Sequence, residues 1–316
     1  MSNDGYSPPA YALAEFQKAN RLVNWRRHWS LNAVLLVATL LTTTVYGTAA
    51  AACFYAGQPF QSDLIWAGYG LLARGSPAVL HGLVFSVPLL LILLAHELGH
   101  YFACRRYHVR ATLPYFFPSP SLLGTCGAFI LIKSPIYTRR SLFDIGISGP
   151  IAGFLMLLPF LAIGIGDSRV IPHIASRGDF IFGTPLLIRM FEAMRFPGVP
   201  TDNIALHPFA QAAWAGLLAT AINLLPIGQL DGGHILYSFV DELHRPLSRF
   251  FFVLLLPMGI FFSWSWLLWA VLLFFLGLRH TYINDPMPLD RARKWIGLLA
   301  VLILVLSLSP TPVRAQ

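Results

Sequence analysis

Long apolar stretches, separated by short polar or charged segments, make up most of this chain. Because about 20 helical residues cross the ~30 Å hydrocarbon core of a membrane, these stretches predict membrane-spanning helices. The stretches are residues 31–55, 80–104, 144–166, 207–226, 250–278 and 295–309. The pattern therefore predicts an all-α polytopic membrane protein with about six transmembrane helices.

Two segments leave more than one interpretation open. The stretch at 250–278 is longer than one span requires, and its interruptions at Pro257–Gly259 and Ser263–Ser265 predict either two short helices or one kinked helix. In the polar segment 167–206, the apolar residues of Pro185–Phe196 recur at helical spacing. That part is expected to be either an interfacial helix or a loop packed on the bundle.

Residues 111–135 differ from the apolar spans in composition and periodicity. Leu113–Pro120 is rich in proline and aromatic residues, and Gly124–Gly127 precedes the apolar stretch Ala128–Ile132. Glycines beside β-branched residues favour a short β-hairpin or re-entrant loop over a span. Irregular backbone at membrane depth must be surrounded by protein or by a water-filled cavity.

Composition and charge agree with a membrane protein. Hydrophobic residues make up 56% of the chain and charged residues only 11%, against about 25% charged residues in soluble domains. Basic residues cluster at Lys18–Arg27, Arg105–Arg110 and Lys133–Arg140, where they flank apolar stretches as cytoplasmic segments do. Because they form no single basic face, the net charge of +8 does not indicate nucleic-acid binding. The three cysteines imply no disulfide framework.

Residues 96–100 read His-Glu-Leu-Gly-His and close the apolar run that begins at Gly82. On a helix, His96 and His100 share one face, where two imidazoles can bind one metal ion. Glu97 is one step round the helix, so its carboxylate can act on a water at the metal without being a ligand. Ionisable side chains are costly in hydrocarbon, and a hydrolytic metal site would account for all three. The alternative is a hydrogen-bonded pair of buried histidines beside a neutralised glutamate.

A catalytic zinc site needs a third protein ligand and an open position for water. Asp231 is the preferred candidate, because it follows the fourth span and is expected at the same depth as the two histidines. Gly232 and Gly233 allow its backbone to approach neighbouring segments closely. His234 is the competing ligand, and an ordinary turn is the alternative role for Asp231.

Two further polar residues, Cys104 and Asn223, lie near these motifs. Cys104 continues the stripe of His96 and His100, but the three positions extend ~12 Å along the helix axis. Metal–ligand bonds are only ~2.0–2.3 Å long, so Cys104 is expected to be a packed residue. Asn223, at the membrane end of the fourth span, is expected either to donate to a tetrahedral oxyanion or to join helices by hydrogen bonds.

Four motifs together resemble the site-2 protease family of intramembrane zinc metalloproteases, over about residues 80–240 and in the family's order. They are His-Glu-Leu-Gly-His at 96–100, Gly-Thr-Cys-Gly-Ala-Phe-Ile at 124–130, Ser-Gly-Pro-Ile-Ala-Gly at 148–153 and Asn-Leu-Leu-Pro-Ile-Gly-Gln-Leu-Asp-Gly-Gly-His at 223–234. The chain is similar to compact members that lack a PDZ domain, including the plastid and cyanobacterial branch. The stretches before 80 and after 250 match only loosely.

The resemblance implies a role for each motif. It implies that His96, His100 and Asp231 bind one zinc ion. It also implies that Glu97 is the catalytic acid/base and that the segment around Gly127 helps to hold the substrate strand. The expected activity is hydrolysis of a peptide bond within or near a transmembrane segment of a membrane-protein substrate. The alternative is a metal-binding transporter or scaffold without proteolytic activity.

The charge pattern and the motifs together divide the chain into four expected regions. Residues 1–29 are a cytoplasmic N-terminal segment, 30–79 the first transmembrane helix and an external loop, 80–240 the catalytic membrane core, and 241–316 the C-terminal transmembrane helices. The core holds the His-Glu-Leu-Gly-His helix, the segment 111–135, the third span, the external loop 167–206 and the Leu-Asp-Gly helix. The expected location is a bacterial cytoplasmic membrane with the active site toward the cytoplasm; the oligomeric state is left open.

Overall fold

The computed structural model of the protein is mostly helical, with 69% of its residues in helices. It describes residues 25–120, 122–276, 283, 285 and 287–315. Most of the expected N-terminal cytoplasmic segment, and the end of the 250–278 stretch, lie outside these described residues.

Ten α-helices are described. They are α1 Trp25–Ala56, α2 Asp63–Ala73, α3 Leu83–Arg106, α4 Arg139–Gly166, α5 Leu186–Arg195, α6 Pro208–Asn223, α7 Asp231–Phe239, α8 Asp241–Phe261, α9 Ser265–Leu276 and α10 Arg291–Ser307. Six short strands lie between and after them. These are β1 Tyr115–Pro118, β2 Thr125–Phe129, β3 Arg169–Val170, β4 Phe180–Phe182, β5 Ile204–Ala205 and β6 Val313–Ala315.

Three helical segments among the described residues are long and apolar enough to cross a membrane. They are Trp29–Ala56, Pro77–Arg106, which joins a short 3-10 turn to α3, and Arg139–Gly166. The expected fourth span is only the 16-residue helix α6. Pro226 follows that helix closely and lacks the N–H that a longer helix would need.

The stretch at 250–278 contains two helices in the structure, α8 and α9. The helical conformation is interrupted at Ser263. The hydroxyl of Ser263 donates to the carbonyl of Val313 at 2.5 Å and lies 2.8 Å from the hydroxyl of Ser265. A serine that bonds to backbone outside its own helix favours a helix end. Pro257, by contrast, is accommodated inside α8.

The segment around 111–135 forms the expected hairpin. β1 and β2 are antiparallel, with Tyr115 opposite Phe129 and Phe117 opposite Gly127. Thr42 of α1 donates to the carbonyl of Gly124 at 2.6 Å, so the hairpin turn is fixed against the first helix. The carbonyl of Gly124 is therefore satisfied by protein, as irregular structure near a membrane requires.

The helix α3 lies at the centre of the bundle and packs against α1, α4 and α6. Leu89 of α3, Leu157 of α4 and Leu217 of α6 are among its fully buried core residues. Side chains packed this closely stabilise the bundle through the sum of their van der Waals contacts. This packing fixes α3 between α4 and α6, and so fixes the position of the motif that α3 carries.

Two small antiparallel pairs involve the segment 167–206. β3 pairs with β5 and so joins the two ends of the segment, whereas β4 pairs with β6, which follows α10, and so joins the segment to a distant part of the chain. Within this segment, α5 buries Leu187 and Ile188 and leaves Met190 and Met194 exposed. The expected element at Pro185–Phe196 is thus a helix, packed on the bundle along one face.

Candidate metal centre

His96 and His100 lie within the last three turns of α3 and face the same side of the helix. Their ring centroids are 4.9 Å apart, and both residues are buried. The i, i+4 spacing produces this arrangement directly, since residues four apart lie one above the other on a helix. Two imidazoles thus stand side by side within the bundle.

Asp231 approaches these rings from a distant segment. Its Oδ2 lies 3.2 Å from Nε2 of His96 and 3.3 Å from Nε2 of His100. Asp231 follows the span expected at 207–226, although a turn separates it from that helix. Helix α6 ends at Asn223, the chain turns, and Asp231 is the first residue of the short helix α7.

The close approach of α7 depends on the glycine that follows Asp231. A Cβ atom at Gly232 would lie 2.1 Å from the carbonyl oxygen of Leu224, so only glycine allows the helix to begin here. The turn between α6 and α7 is therefore tight, as the two glycines that follow Asp231 predicted.

The orientation of His100 is set by helix α4. The Nδ1 atom of His100 lies 2.7 Å from the carbonyl oxygen of Ile145, which makes Nδ1–H the donor and leaves the lone pair of Nε2, on the side of Asp231, available to bind a metal ion. Metal-binding histidines commonly have such a second hydrogen bond to a carbonyl. Sequence motifs do not identify Ile145, because the contact uses only its backbone.

Two glycines of the Ser-Gly-Pro-Ile-Ala-Gly segment make room for the histidines. A Cβ at Gly149 would lie 2.1 Å from Nε2 of His100, and one at Gly153 would lie 3.1 Å from Cβ of His96. Helix α4 therefore has no side chain where the imidazoles stand. The motif pattern alone predicted no role for either glycine.

The three side chains fit a zinc ion by their chemistry and their spacing. One ligand atom from each of His96, His100 and Asp231 lies within 4.8 Å of the other two, and no other such group of three occurs among the described residues. Tetrahedral zinc with bonds of ~2.0–2.1 Å separates neighbouring ligand atoms by about 3.3 Å. The two carboxylate–imidazole distances match this value, and a His₂Asp set leaves one position open.

Glu97 lies beside this group and outside it. Its side chain is buried, and its carboxylate interacts electrostatically with His96, His100 and Asp231 and with the backbone of Ile130. Ile130 directly follows β2, so the hairpin reaches the carboxylate. Glu97 is thus placed between the ligand group and the end of a strand.

The other positions singled out from the sequence have different surroundings. The side-chain amide of Asn223 lies 3.4 Å from Nε2 of His96, at the edge of the centre. His234, the competing ligand, is not part of the group of three. Gly127 lies on β2 with a φ of +104° and open space where a Cβ would be, without direct contact to the three ligand atoms. Cys104 is fully buried in an apolar cluster, as expected.

A network of polar side chains next to the metal centre joins α3, α4 and α10. No sequence pattern indicated this network. Arg293 of α10 donates from Nε and Nη2 to the carboxylate of Asp144 in α4, at 2.8 and 2.6 Å, and also bonds to Asp290. Tyr107, which follows α3, donates to Asp144 as well. Burial and the nearby carboxylate raise the pKa of Tyr107 to about 12, so its hydroxyl stays protonated. Asp144 directly precedes the residue whose carbonyl holds His100.

The chain matches the model of one protein family. The model of Peptidase family M50 matches residues 84–266, which include all four motifs described above. This range also contains every residue of the candidate metal centre.

Among curated proteins, the chain is similar to plant proteins. It is 29% identical over 231 residues to "Probable zinc metalloprotease EGY1, chloroplastic" of Arabidopsis thaliana, covering 69% of this chain and 41% of that protein. It is 32% identical over 225 residues to "Probable zinc metalloprotease EGY2, chloroplastic" of the same plant, covering 68% and 38%. The EGY1 protein of Oryza sativa is 32% identical over 169 residues. The chain thus spans about two fifths or less of the length of each relative.

Proposed function

The chain belongs to peptidase family M50, the site-2 protease family, and from this we propose that it is a zinc metalloprotease that cleaves membrane proteins. The observation that carries the proposal is the meeting of His96, His100 and Asp231 within 4.8 Å, with the buried Glu97 beside them. A transporter or scaffold would need the ligands but not a carboxylate next to them. Hydrolysis needs both.

In the proposed mechanism, His96, His100 and Asp231 hold one zinc ion. When bound, zinc supplies a Lewis acid that activates water near neutral pH and polarises a carbonyl group. Glu97 takes a proton from the attacking water and returns it to the leaving nitrogen. The hydrogen bond from His100 to the Ile145 carbonyl keeps the ring in the tautomer that the site needs.

Asn223 is proposed to assist this reaction. Its side-chain amide lies next to His96, where an N–H donor can stabilise the negative charge that develops on a tetrahedral carbonyl oxygen. The alternative role, a hydrogen bond between helices, uses the same contact.

The substrate is proposed to bind as an extended strand along β2. Among the described strands, β2 pairs only with β1, so its second edge has no strand partner there. A helical substrate hides its carbonyl groups in hydrogen bonds, and an unwound segment added to β2 would expose them. The strand ends at Phe129, and the backbone of the next residue, Ile130, lies beside Glu97, which would bring the peptide bond to the catalytic carboxylate.

The membrane arrangement is proposed from the spans and the basic clusters. Three long apolar helices indicate membrane association, and six spans remain a proposal. Arg105 and Arg106 at the end of α3 favour a cytoplasmic position for the metal centre. The placement in a bacterial cytoplasmic membrane gains no support from the relatives, which are named as chloroplast proteins.

The proposal is tested by Glu97→Gln in the purified protein, with a transmembrane reporter as substrate. Loss of the general base is expected to lower the cleavage rate by about 10²–10⁴-fold, while zinc stays at one ion per chain. Glu242→Gln is the matched control, because Glu242 is exposed at the start of α8, outside the site. Cleavage at the wild-type rate in Glu97→Gln would contradict the proposed base. Loss of zinc from this variant would instead show that Glu97 is a ligand.

A further inference from the structure

A cavity of about 140 Å³ lies at the other end of the bundle from the metal centre. Its walls come from the second half of α1, from the segment 167–206 and from the start of α6. Tyr46 lines it, and the ring of Tyr46 packs on Phe85 of α3 at 4.8 Å. Phe85 is eleven residues before His96, or ~16 Å along the helix, so the cavity is a separate site.

One carboxylate oxygen in the cavity wall has no hydrogen-bond partner in the part of the chain that the structure describes. Glu192 of α5 is 3% exposed, and its Oε2 atom accepts no hydrogen bond among the described residues. An unpaired polar atom in a protein interior costs about 1–3 kcal/mol, and more if it is charged. Removal from water raises the pKa of Glu192 to about 7, with nearby Asp202 acting in the same direction and Arg189 opposing.

The other polar groups of the cavity are suited to a hydrogen-bond donor. The amide N–H of Gln211 donates to the carbonyl of Leu206 at 2.8 Å, which leaves its own carbonyl oxygen as an acceptor. Asp202 adds a second carboxylate at the rim, where it is exposed. Trp214 donates its indole N–H to the carbonyl of Gly183 at 2.7 Å, so a ligand can contact only the aromatic ring of Trp214.

Aromatic rings supply the rest of the wall. The aromatic lining residues are Tyr46, Phe54, Phe60, Phe180, Phe182 and Trp214. Ring faces attract cations, and Phe54 already has the guanidinium of Arg169 at 4.9 Å from its centroid. A buried acceptor surrounded by rings is the usual chemistry of a site for an organic ammonium group. A metal ion fits less well, because the described residues provide no third ligand here.

We propose that this cavity binds an organic cation with a primary ammonium head, which Glu192 holds by an ion pair. The volume accommodates on the order of ten non-hydrogen atoms, since one water takes about 10–15 Å³ of such space. A small free amine or a lysine side chain of a bound polypeptide both satisfy this chemistry. The inference does not depend on proteolysis at the metal centre.

Charged and titratable groups on every surrounding element bear on the pH dependence. They are Arg189 on α5, Asp202 and Asp179 in the segment 167–206, Arg169 and His207 near its ends, and Tyr46 and Cys53 on α1. Asp179 is already bonded to Ser62, at 2.8 Å from its backbone N–H and 2.7 Å from its hydroxyl. Glu192 is therefore the buried acid whose ionisation changes near neutral pH. Its ionised form, which binds the cation, predominates above pH 7 and is lost below it.

The test is calorimetric titration of the full chain in detergent with n-butylammonium chloride, with n-butanol as the uncharged probe of the same shape. Butylammonium is expected to bind one per chain at pH 8 and about tenfold more weakly at pH 6, and butanol not to compete. Glu192→Gln is expected to weaken binding at least tenfold, and Glu242→Gln to leave it unchanged.

Equal affinities at the two pH values, or competition by butanol, would overturn the proposal even if Glu192→Gln failed to fold. Wild-type affinity in a folded Glu192→Gln variant would also overturn it. A second arm uses a transmembrane peptide with one lysine flanking its span, against the same peptide with glutamine. Displacement of butylammonium by the lysine peptide alone identifies a bound polypeptide as the source of the ammonium group, and no displacement identifies a free amine.

Discussion

At the scale of single residues, the candidate centre depends on glycines that leave room for the metal ligands as much as on the ligands themselves. His100 is held by a backbone carbonyl of α4, and the helix can approach it only because residue 149 has no Cβ. Protein interiors are packed closely, so even one added methyl group must displace its neighbours. The position of a metal ligand is thus set by a glycine on another helix.

Gly149→Ala is expected to displace the His100 ring and to weaken zinc binding by about 10–100-fold, the usual effect of disturbing the shell around metal ligands. The matched control is Gly166→Ala at the end of the same helix, where a new Cβ meets no atom within 4 Å. Zinc affinity is measured by competition with a chelator. Equal affinities of the two variants would show that α4 does not set the position of His100.

At the scale of elements, the ends of α3, α4 and α10 are joined through one guanidinium group. Arg293 binds Asp144 through two nitrogen atoms, and Asp144 also accepts a hydrogen bond from Tyr107. Hydrogen bonds to charged groups contribute about 1.5–3 kcal/mol each, and these groups are partly shielded from water. The network therefore holds together the helix ends next to Ile145.

Arg293→Gln is expected to lower the apparent melting temperature of the detergent-solubilised protein by several degrees, because Asp144 loses its charged partner. Arg291→Gln is the control. Arg291 is exposed, lies two residues earlier and forms no ion pair with a carboxylate among the described residues, so removing its equal charge is expected to change the melting temperature little. Equal melting temperatures for both variants would contradict a structural role for the network.

At the scale of the whole molecule, the pairing of β4 with β6 places the end of the chain beside the segment 167–206. The metal centre and the basic clusters at Arg105–Arg110 and Lys133–Arg140 lie at the opposite end of α3 and α4. If these helices cross the membrane, the two ends face different compartments. The cavity at Glu192 and the metal centre would then be reached from opposite sides.

This arrangement is tested by labelling single cysteines in membrane vesicles with an impermeant maleimide. Gln58→Cys and Asp202→Cys are expected to react from one side, and Lys133→Cys from the other; all three positions are exposed. Cys126 is the only exposed native cysteine and is first replaced by serine, while Cys53 and Cys104 are buried. Labelling of all three positions from the same side would contradict the proposed topology.

How far the sequence predicts this molecule depends on whether a feature is local. The stretches at 80–104 and 144–166 correspond to α3 and α4, and the family named from the motifs is confirmed by the family match. Helical spacing alone placed His96 and His100 together. The hairpin at 111–135 was likewise visible in its glycines and aromatic residues.

Features that need distant segments could not be predicted. The start of α7 at Asp231 depends on a tight approach to Leu224, and the bond between His100 and Ile145 uses a backbone atom that has no sequence signature. The cavity around Glu192 is assembled from parts of the chain more than 100 residues apart. Its acidic residue had no motif to distinguish it from a solvated surface charge.

The most direct test of the central claim is zinc K-edge X-ray absorption of the purified, zinc-loaded protein, with metal content measured on the same sample. The account predicts one zinc per chain, with nitrogen and oxygen neighbours at ~2.0–2.1 Å that include two imidazoles. It also predicts one imidazole fewer in His100→Ala and loss of tight binding in Asp231→Ala. A sulfur neighbour at ~2.3 Å, or full retention of two imidazoles and one zinc in His100→Ala, would contradict it.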